Sequence, residues 1–476
     1  MEKNTILEKD NIVNFNKLDN PKDLDILLDR IGDSQFVLLG EASHGTSEFY
    51  KWRTEITKRL VEEKKFSFIA VEGDWPDCYR VNRYIKGIPH SDNSKSAYDI
   101  LYIFNRWPTW MWANKEIVEL VEWLKSFNDQ KKQKQKDSSN SNFISTKKLV
   151  GFYGLDLYSL WESMEAIIQY LKKIDPNAVK NAFEAYNCFE PYEKDVENYA
   201  RATAFVPENC EDEVIEMLSS LHDKMDVYSK KDHGNKEEEY FNAEQNAITA
   251  KNAELYYRTM IKGDVKSWNI RDTHMMETLD RLITFHDEGN SKAIVWAHNT
   301  HIGDARATDM SKDNMINLGQ LVRERKSNNN TVLVGFGTYK GSVIAAKRWG
   351  EKMEQMEVPP AIDGSWDNIL HNIKNDSIAS SFNNNNKLII FSHNNDINNR
   401  INNNSNNKIN NYKWRGQRAI GVVYNPQYES YGNYVPTNIS LRYDAFLFID
   451  ETHALNPLHV QTINDKDLPE TFPTGV

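Results

Sequence analysis

The residues best able to do chemistry fall just after short apolar runs. In GEASHGTSEFYKWR (40–53), Glu41, His44 and Arg53 follow the run FVLL. Histidine is the side chain best matched to general-base work near neutral pH. A neighbouring carboxylate, Glu41 or Glu72, would orient its ring and stabilise its charged form. Gly40 and Gly45 permit the tight backbone that such a turn needs. SEFYKWRTEITKRLVEE has helical periodicity, and Arg53 falls on the face of Phe49, Trp52, Ile56 and Leu60. A buried arginine is costly unless paired. It reads both as a salt bridge to Glu41 or Glu72 and as a cation aimed at substrate.

Four further segments add to this set. FIAVEGDWPDCYRVNRYI ends a buried run on Glu72, which needs Arg53, a histidine, a metal or a ligand. Asp74 there reads as the cap of the next helix before Pro76. AIVWAHNTHIGD supplies His298 and His301. In SWNIRDTHMMETLDRLITFH, Asn269 and Asp272 read as an N-cap, Arg271 as a residue able to reach the rim, and His274 as peripheral. Trp107, Trp110 and Trp112 lie in FNRWPTWMWANKE, as core or as the wall of a bulky-ligand site; Trp110 is the candidate substrate contact.

No GxSxG elbow, P-loop or GxGxxG fingerprint occurs, and no cysteine has an evident histidine partner in the sequence. The residues suit a histidine that activates water, with His44, Glu41, Glu72, His298 and His301 catalytic and Arg53, Arg271 and Trp110 binding substrate. No cofactor is called for. An alternative uses the same Glu/His rim as a metal-dependent hydrolase, HxxH being a weak metal signal in a loop. A third reading is a non-catalytic small-molecule binding protein.

The elements that must position these residues are apolar runs at 36–39, 66–71, 149–155, 293–297, 331–336, 419–424 and 445–449. Unbroken apolar runs suggest strands covered on both faces, and helical patterns between them predict an α/β fold with a largely parallel sheet. Glu41 and His44, Glu72 and Asp74, Asp156, His298 and His301, and Asp450 with Glu451 all follow such runs. In an open α/β sheet they would converge on the rim at the carboxyl ends of the strands, where ligands bind. The expected organisation is an α/β core over 15–156 and 266–339, a helical subdomain over 157–265, a small α+β subdomain over 340–440, and a C-terminal strand and tail over 441–476. Pocket selectivity is expected from the helical subdomain and residues 75–115. The Asn-rich tract 383–411 reads as a disordered surface insertion, and the lysine- and serine-rich 129–142 as a solvated loop.

The 476 residues carry a net charge of −11, against a nucleic-acid surface. Cys78, Cys188 and Cys210 form no zinc spacing or disulfide framework, which suggests a reducing compartment. The N-terminal residues do not read as a signal peptide, and no run is long enough to span a membrane. The expectation is a cytoplasmic protein with a small-molecule substrate; its oligomeric state is unreadable from sequence.

Seven blocks in order resemble the erythromycin esterase family: GEASHGTSEFYKWR, VEGDWPDCYRVNRYI, PTWMWAN, GFYGLDLYS, WNIRDTHMMETL, VWAHNTHIGD and AIGVVYNPQ with YDAFLFIDETHALNPL. They span residues 15 to 460, and the Asn-rich insertion is foreign to the pattern. The resemblance implies a three-layer α/β core with a helical domain and a small α+β domain. It also implies hydrolysis without a covalent intermediate. In members that open macrolide rings the histidine of the GExxH block is the proposed base that activates water, and the matching residue here is His44. Glu41, Arg53, Glu72, His298 and His301 match the family's remaining site positions.

Overall fold

The computed structural model describes residues 12–458 apart from 90–94, 139–144, 193–195, 206–208, 224–235, 261–262, 288–289, 374–384 and 392–413. Strands are numbered in chain order. The centre is a parallel run of β2 (Phe36–Leu39), β3 (Phe68–Asp74), β4 (Gly151–Asp156), β5 (Ala293–Trp296), β6 (Thr331–Ala345) and β11 (Ala445–Thr452). Their spatial order is β4-β3-β5-β2-β6-β11. Two antiparallel strands, β8 (Lys387–Phe391) and β1 (Ile12–Lys17), extend the β11 edge, and β7 (Glu354–Val358) pairs with the far end of β6. β9 (Arg415–Arg418) and β10 (Tyr434–Thr437) form a separate pair.

Alternation along each strand explains why the runs carry no polar face. Val37 and Leu39 of β2, Ile69 and Val71 of β3, and Ile294 and Trp296 of β5 enter one core. Phe36, Leu38, Phe68, Ala70, Ala293 and Val295 enter the other. Helices α1 (Ser47–Lys64), α2 (Trp75–Ile85) and α3 (Lys115–Ser138) contribute to the first core. Helices α4 (Asp264–Asp287) and α5 (Leu318–Lys326) cover the second. Burying each Val, Leu or Phe stabilises by about 1.5–3 kcal/mol, so both faces must be covered for such strands to form. The result is the expected α/β fold with a largely parallel sheet.

Between Leu157 and Met260 a third core joins helices such as Leu160–Ile174 and Lys236–Met260. Cys188 and Cys210 are bonded here, with Cα atoms 5.9 Å apart. This corrects the reading that no cysteines pair; Cys78 is free and buried. Spacing is a poor guide, because a helix boundary and a turn bring the two thiols together.

Several other expectations are corrected. Residues 419–424 form no strand; Ile420 and Val423 make isolated bridges to Ser43 and Ala346. The Asn-rich tract conceals β8, whose KLIIF pairs with both β1 and β11; much of the remaining tract lies outside the described residues. The 340–440 region therefore contributes to the main sheet and is not a wholly separate unit. Residues 129–138 continue helix α3 instead of forming a loop.

Candidate functional site

The site begins where β2 ends. The backbone of 40–46 threads between β6 and the C-terminal segment, and the Gly45 carbonyl accepts from Ile344 and Leu455 amides. A Cβ on Gly45 would stand 1.9 Å from the Ile344 oxygen, and one on Gly40 2.1 Å from Asn299 Oδ1. Neither glycine has a positive φ. Close approach, not a left-handed backbone, explains both.

This packing fixes a three-residue chain. Arg53 Nη2, on the inner face of α1, donates to Glu41 Oε2 at 2.6 Å. His44 Nδ1 lies 2.9 Å from Glu41 Oε1. The carboxylate can only accept there, so Nδ1 carries the proton and Nε2 keeps its lone pair. Arg53 also stacks on the Tyr50 and Trp296 rings, at 4.4 and 4.5 Å from their centroids. It is fully buried behind Glu41. Its expected contact with substrate is corrected: it positions Glu41.

The ends of β3, β4 and β5 meet on helix α4. Arg271 donates through Nε and Nη2 to both oxygens of Asp156, at 3.0 and 2.7 Å, and through Nη2 to Glu72 Oε1 at 2.6 Å. Its Nη1 lies 3.0 Å from His301 Nε2. The second Glu72 oxygen accepts the His298 amide at 2.8 Å. Burial disfavours charge on Glu72, but His301, Arg271 and His44 outweigh it and hold the carboxyl well below its ordinary range.

The two later histidines differ in charge. His301 Nδ1 donates to Asp272 at 2.9 Å, its ring is stacked on Trp268 at 4.5 Å, and its Nε2 is 3.4 Å from Glu72. Burial and the Arg271 guanidinium oppose its charge, yet Asp272 and Glu72 raise it to about 9. The Nε2–H of that cation faces Glu72, and Arg271, itself a donor, is a neighbouring charge and not its hydrogen-bond partner. His298 caps the short helix Asn299–Ile302, where its Nδ1 accepts from the Thr300 amide at 3.3 Å. Burial first, and then the nearby His44, push it well below its ordinary value. It is neutral with the proton on Nε2, and that nitrogen has no partner among the described residues. The His44 and His298 ring centroids are 4.9 Å apart.

A cleft opens over this cluster. His44, Glu72, Asp156 and Arg271 line its floor, and Phe104, Trp107, Trp112, Tyr158 and Trp349 supply aromatic walls. His298 and His301 are buried beneath the lining. Trp110 is also fully buried, packed edge-on against Trp107 at 5.6 Å. Its expected role at the cleft surface is corrected, because its ring belongs to the layer behind the wall.

Other sequence expectations shift for local reasons. Helix α4 starts at Asp264, so Asn269 and Asp272 are interior and not its cap. Asp272 instead holds His301 and accepts the Leu318 amide at 2.8 Å. The signal that could have identified it is an aspartate inside an apolar helical stripe. His274, expected at the periphery, is buried and bonded to Asn252 at 2.8 Å. Asp74 precedes α2 without a side-chain capping bond and pairs with Arg106 at 2.8 Å. Asp450 stands apart from the cluster, 2.6 Å from His371, and Glu451 faces Lys340.

Among the described residues no three His, Cys, Asp or Glu side chains are grouped to hold a metal ion. The donors are engaged with one another, and the Arg271 guanidinium already lies between Glu72, Asp156 and His301. No helix among them is long and apolar enough to cross a membrane.

A model of the erythromycin esterase family matches residues 61–452. The Bacillus subtilis (strain 168) protein YbfO is 25% identical over 357 residues, which are 68% of this chain and 69% of that protein. A crystal structure described as a succinoglycan biosynthesis protein is 20% identical and superposes with a TM-score of 0.66, covering 95% of this chain and 98% of that one. A Bacillus cereus protein gives 0.66 at 18% identity, over 96% and 99% of the two chains. An erythromycin esterase, an EreC variant in its open conformation, gives 0.61 at 15% identity, over 92% and 98%. At these identities the structures speak for the fold, and the family match carries the assignment: the chain belongs to the erythromycin esterase family.

Proposed function

We propose that the cleft hydrolyses an ester or lactone of a small molecule by direct attack of water, with His44 as the general base. The observation that carries this reading is the 2.9 Å contact of His44 Nδ1 with Glu41, which leaves a basic Nε2 at a cleft. His44 takes a proton from water, and the oxygen attacks the carbonyl carbon. The imidazolium is stabilised by Glu41, which Arg53 holds in place, and by the ionised Glu72. The unpartnered Nε2–H of His298 lies beneath the lining beside His44 and is suited to anchor a buried water there.

Arg271 and His301 act from below. Arg271 holds Glu72 and Asp156 at the floor, and His301 beside Glu72 helps to offset their charge. A metal-dependent version is disfavoured because Arg271 supplies the cation among those carboxylates. No cofactor is assigned. The aromatic walls favour a bulky apolar acyl or alcohol portion, for which the EreC likeness makes macrolide lactones one class to try. The test is a screen of esters and lactones, macrolides included, with wild type and His44→Ala. Turnover by wild type and a loss of about 10³-fold or more in the folded variant are expected. Equal turnover by the two proteins would rule His44 out as the base.

A further inference from the structure

The cleft lining contains a carboxyl that the mechanism above leaves unused. Arg271 is engaged by Glu72 and Asp156, and Arg106 by Asp74 and Glu162. Asp77, on the first turn of α2, has Arg80 Nη1 as its nearest cation, at 4.0 Å. No hydrogen bond to its side chain is formed among the described residues. Asp77 lines the same cleft as His44, but from a different element. Burial pushes its carboxyl up to about 6, against the pull of Arg80 and Arg106 and with the help of Glu162. Unlike Glu72, it can therefore carry a proton near neutral pH.

We propose that Asp77 is the acid that protonates the departing alcohol. This rests on the hydrolase reading of the cleft. After water has added and His44 holds its proton, the tetrahedral oxyanion reforms the carbonyl. The bond from the carbonyl carbon to the alcohol oxygen breaks, and its electron pair stays on that oxygen. The Asp77 O–H proton transfers to the same oxygen, giving the alcohol, the carboxylic acid and an Asp77 carboxylate. The His44 imidazolium then releases its proton to solvent and Asp77 takes one up, so both return to their starting states. With the base on the β2 turn and the acid on α2, neither group has to serve both the water and the leaving group.

An acid of this kind matters only for a leaving group too basic to depart unprotonated. The probes are ethyl phenylacetate and p-nitrophenyl phenylacetate, which share an acyl group and differ in the alcohol. Asp77→Asn keeps the shape and removes the acid. It is expected to lower kcat/KM about 100-fold on the ethyl ester and less than about 3-fold on the p-nitrophenyl ester. Asp77→Glu keeps an acid and should hold the ratio of the two esters within a few-fold of wild type. Any loss of folded protein cancels in that ratio. An unchanged ratio in Asp77→Asn would overturn the proposal, as would the same change in Asp77→Glu. If His44→Ala is inactive while the Asp77→Asn ratio is unchanged, only the acid assignment fails. If His44→Ala matches wild type on both esters, or wild type hydrolyses neither, the underlying reading fails.

Discussion

Two histidine–carboxylate pairs lie within this one cluster, and they are built differently. At the β2 turn, His44 meets Glu41 on one side of its ring and a cleft on the other. Above α4, His301 meets Asp272 at one nitrogen, Glu72 and Arg271 at the other, and Trp268 across its face. Both have a carboxylate on Nδ1, which is the feature that usually draws attention to a catalytic histidine. The difference lies at Nε2. An open Nε2 can exchange a proton with substrate, whereas an enclosed one is committed to holding charge in the protein. A histidine–carboxylate contact therefore marks a base only when the far nitrogen is accessible.

The largest expected effect that would break this distinction falls on stability. Removing one partner of a buried ion pair costs about 3–5 kcal/mol, so Asp272→Asn should lower the unfolding free energy by that order in denaturant titrations. The sign of the pH dependence follows from His301. Its value rises from 6.5 to about 9 on folding. Its contribution, on the order of 3 kcal/mol, is therefore complete below pH 6.5 and is lost as pH rises through 9. Wild type should lose stability across that window, and Asp272→Asn should flatten the slope. A variant with wild-type stability and slope would remove the claim that His301 is a structural cation.

The next effect sharpens the open pair. Glu41→Gln keeps the shape but removes the charge facing His44, and kcat of the folded variant should fall about 10²-fold, with a lowered Tm as well because Arg53 loses its buried partner. A rise in KM at constant kcat would instead make Glu41 a binding residue. The smallest effect separates the cleft wall from the layer behind it. Trp349→Ala should raise KM about 10-fold for a bulky ester with Tm nearly unchanged, because this half-buried ring lines the cleft. Trp110→Ala should do the reverse, costing about 3–5 kcal/mol of stability with KM unchanged, since its ring is fully buried. Equal KM effects would mean that the cleft extends deeper than its lining.

How legible the site was in the sequence depends on whether position along a strand or depth in a layer was needed. Strand ends are readable: Glu41, His44, Glu72, Asp156 and His298 follow apolar runs, and the parallel sheet gathers those ends on one rim. Depth is not readable. Arg53, His301 and Trp110 have the composition of site residues, but tertiary packing places each beneath the cleft surface. Asp272 was hidden by a false cap, because local capping signals cannot tell a helix start from an interior aspartate that serves another element. β8 was hidden by its neighbours: five residues of ordinary strand sequence are masked by the asparagines on either side. The cleft-lining Trp349 comes from a loop with no apolar run to mark it.

The most direct test of the difference between the two histidines measures kcat/KM and Tm together for His44→Ala and His301→Ala, on the best ester from the screen. His44→Ala should lose about 10³-fold or more in kcat/KM with an unchanged Tm. His301→Ala should lose several degrees of Tm, with a smaller activity loss of about 10- to 100-fold transmitted through Glu72 and Arg271. The opposite ranking, with turnover kept by His44→Ala or an undiminished Tm in His301→Ala, would contradict the assignment of base and structural cation.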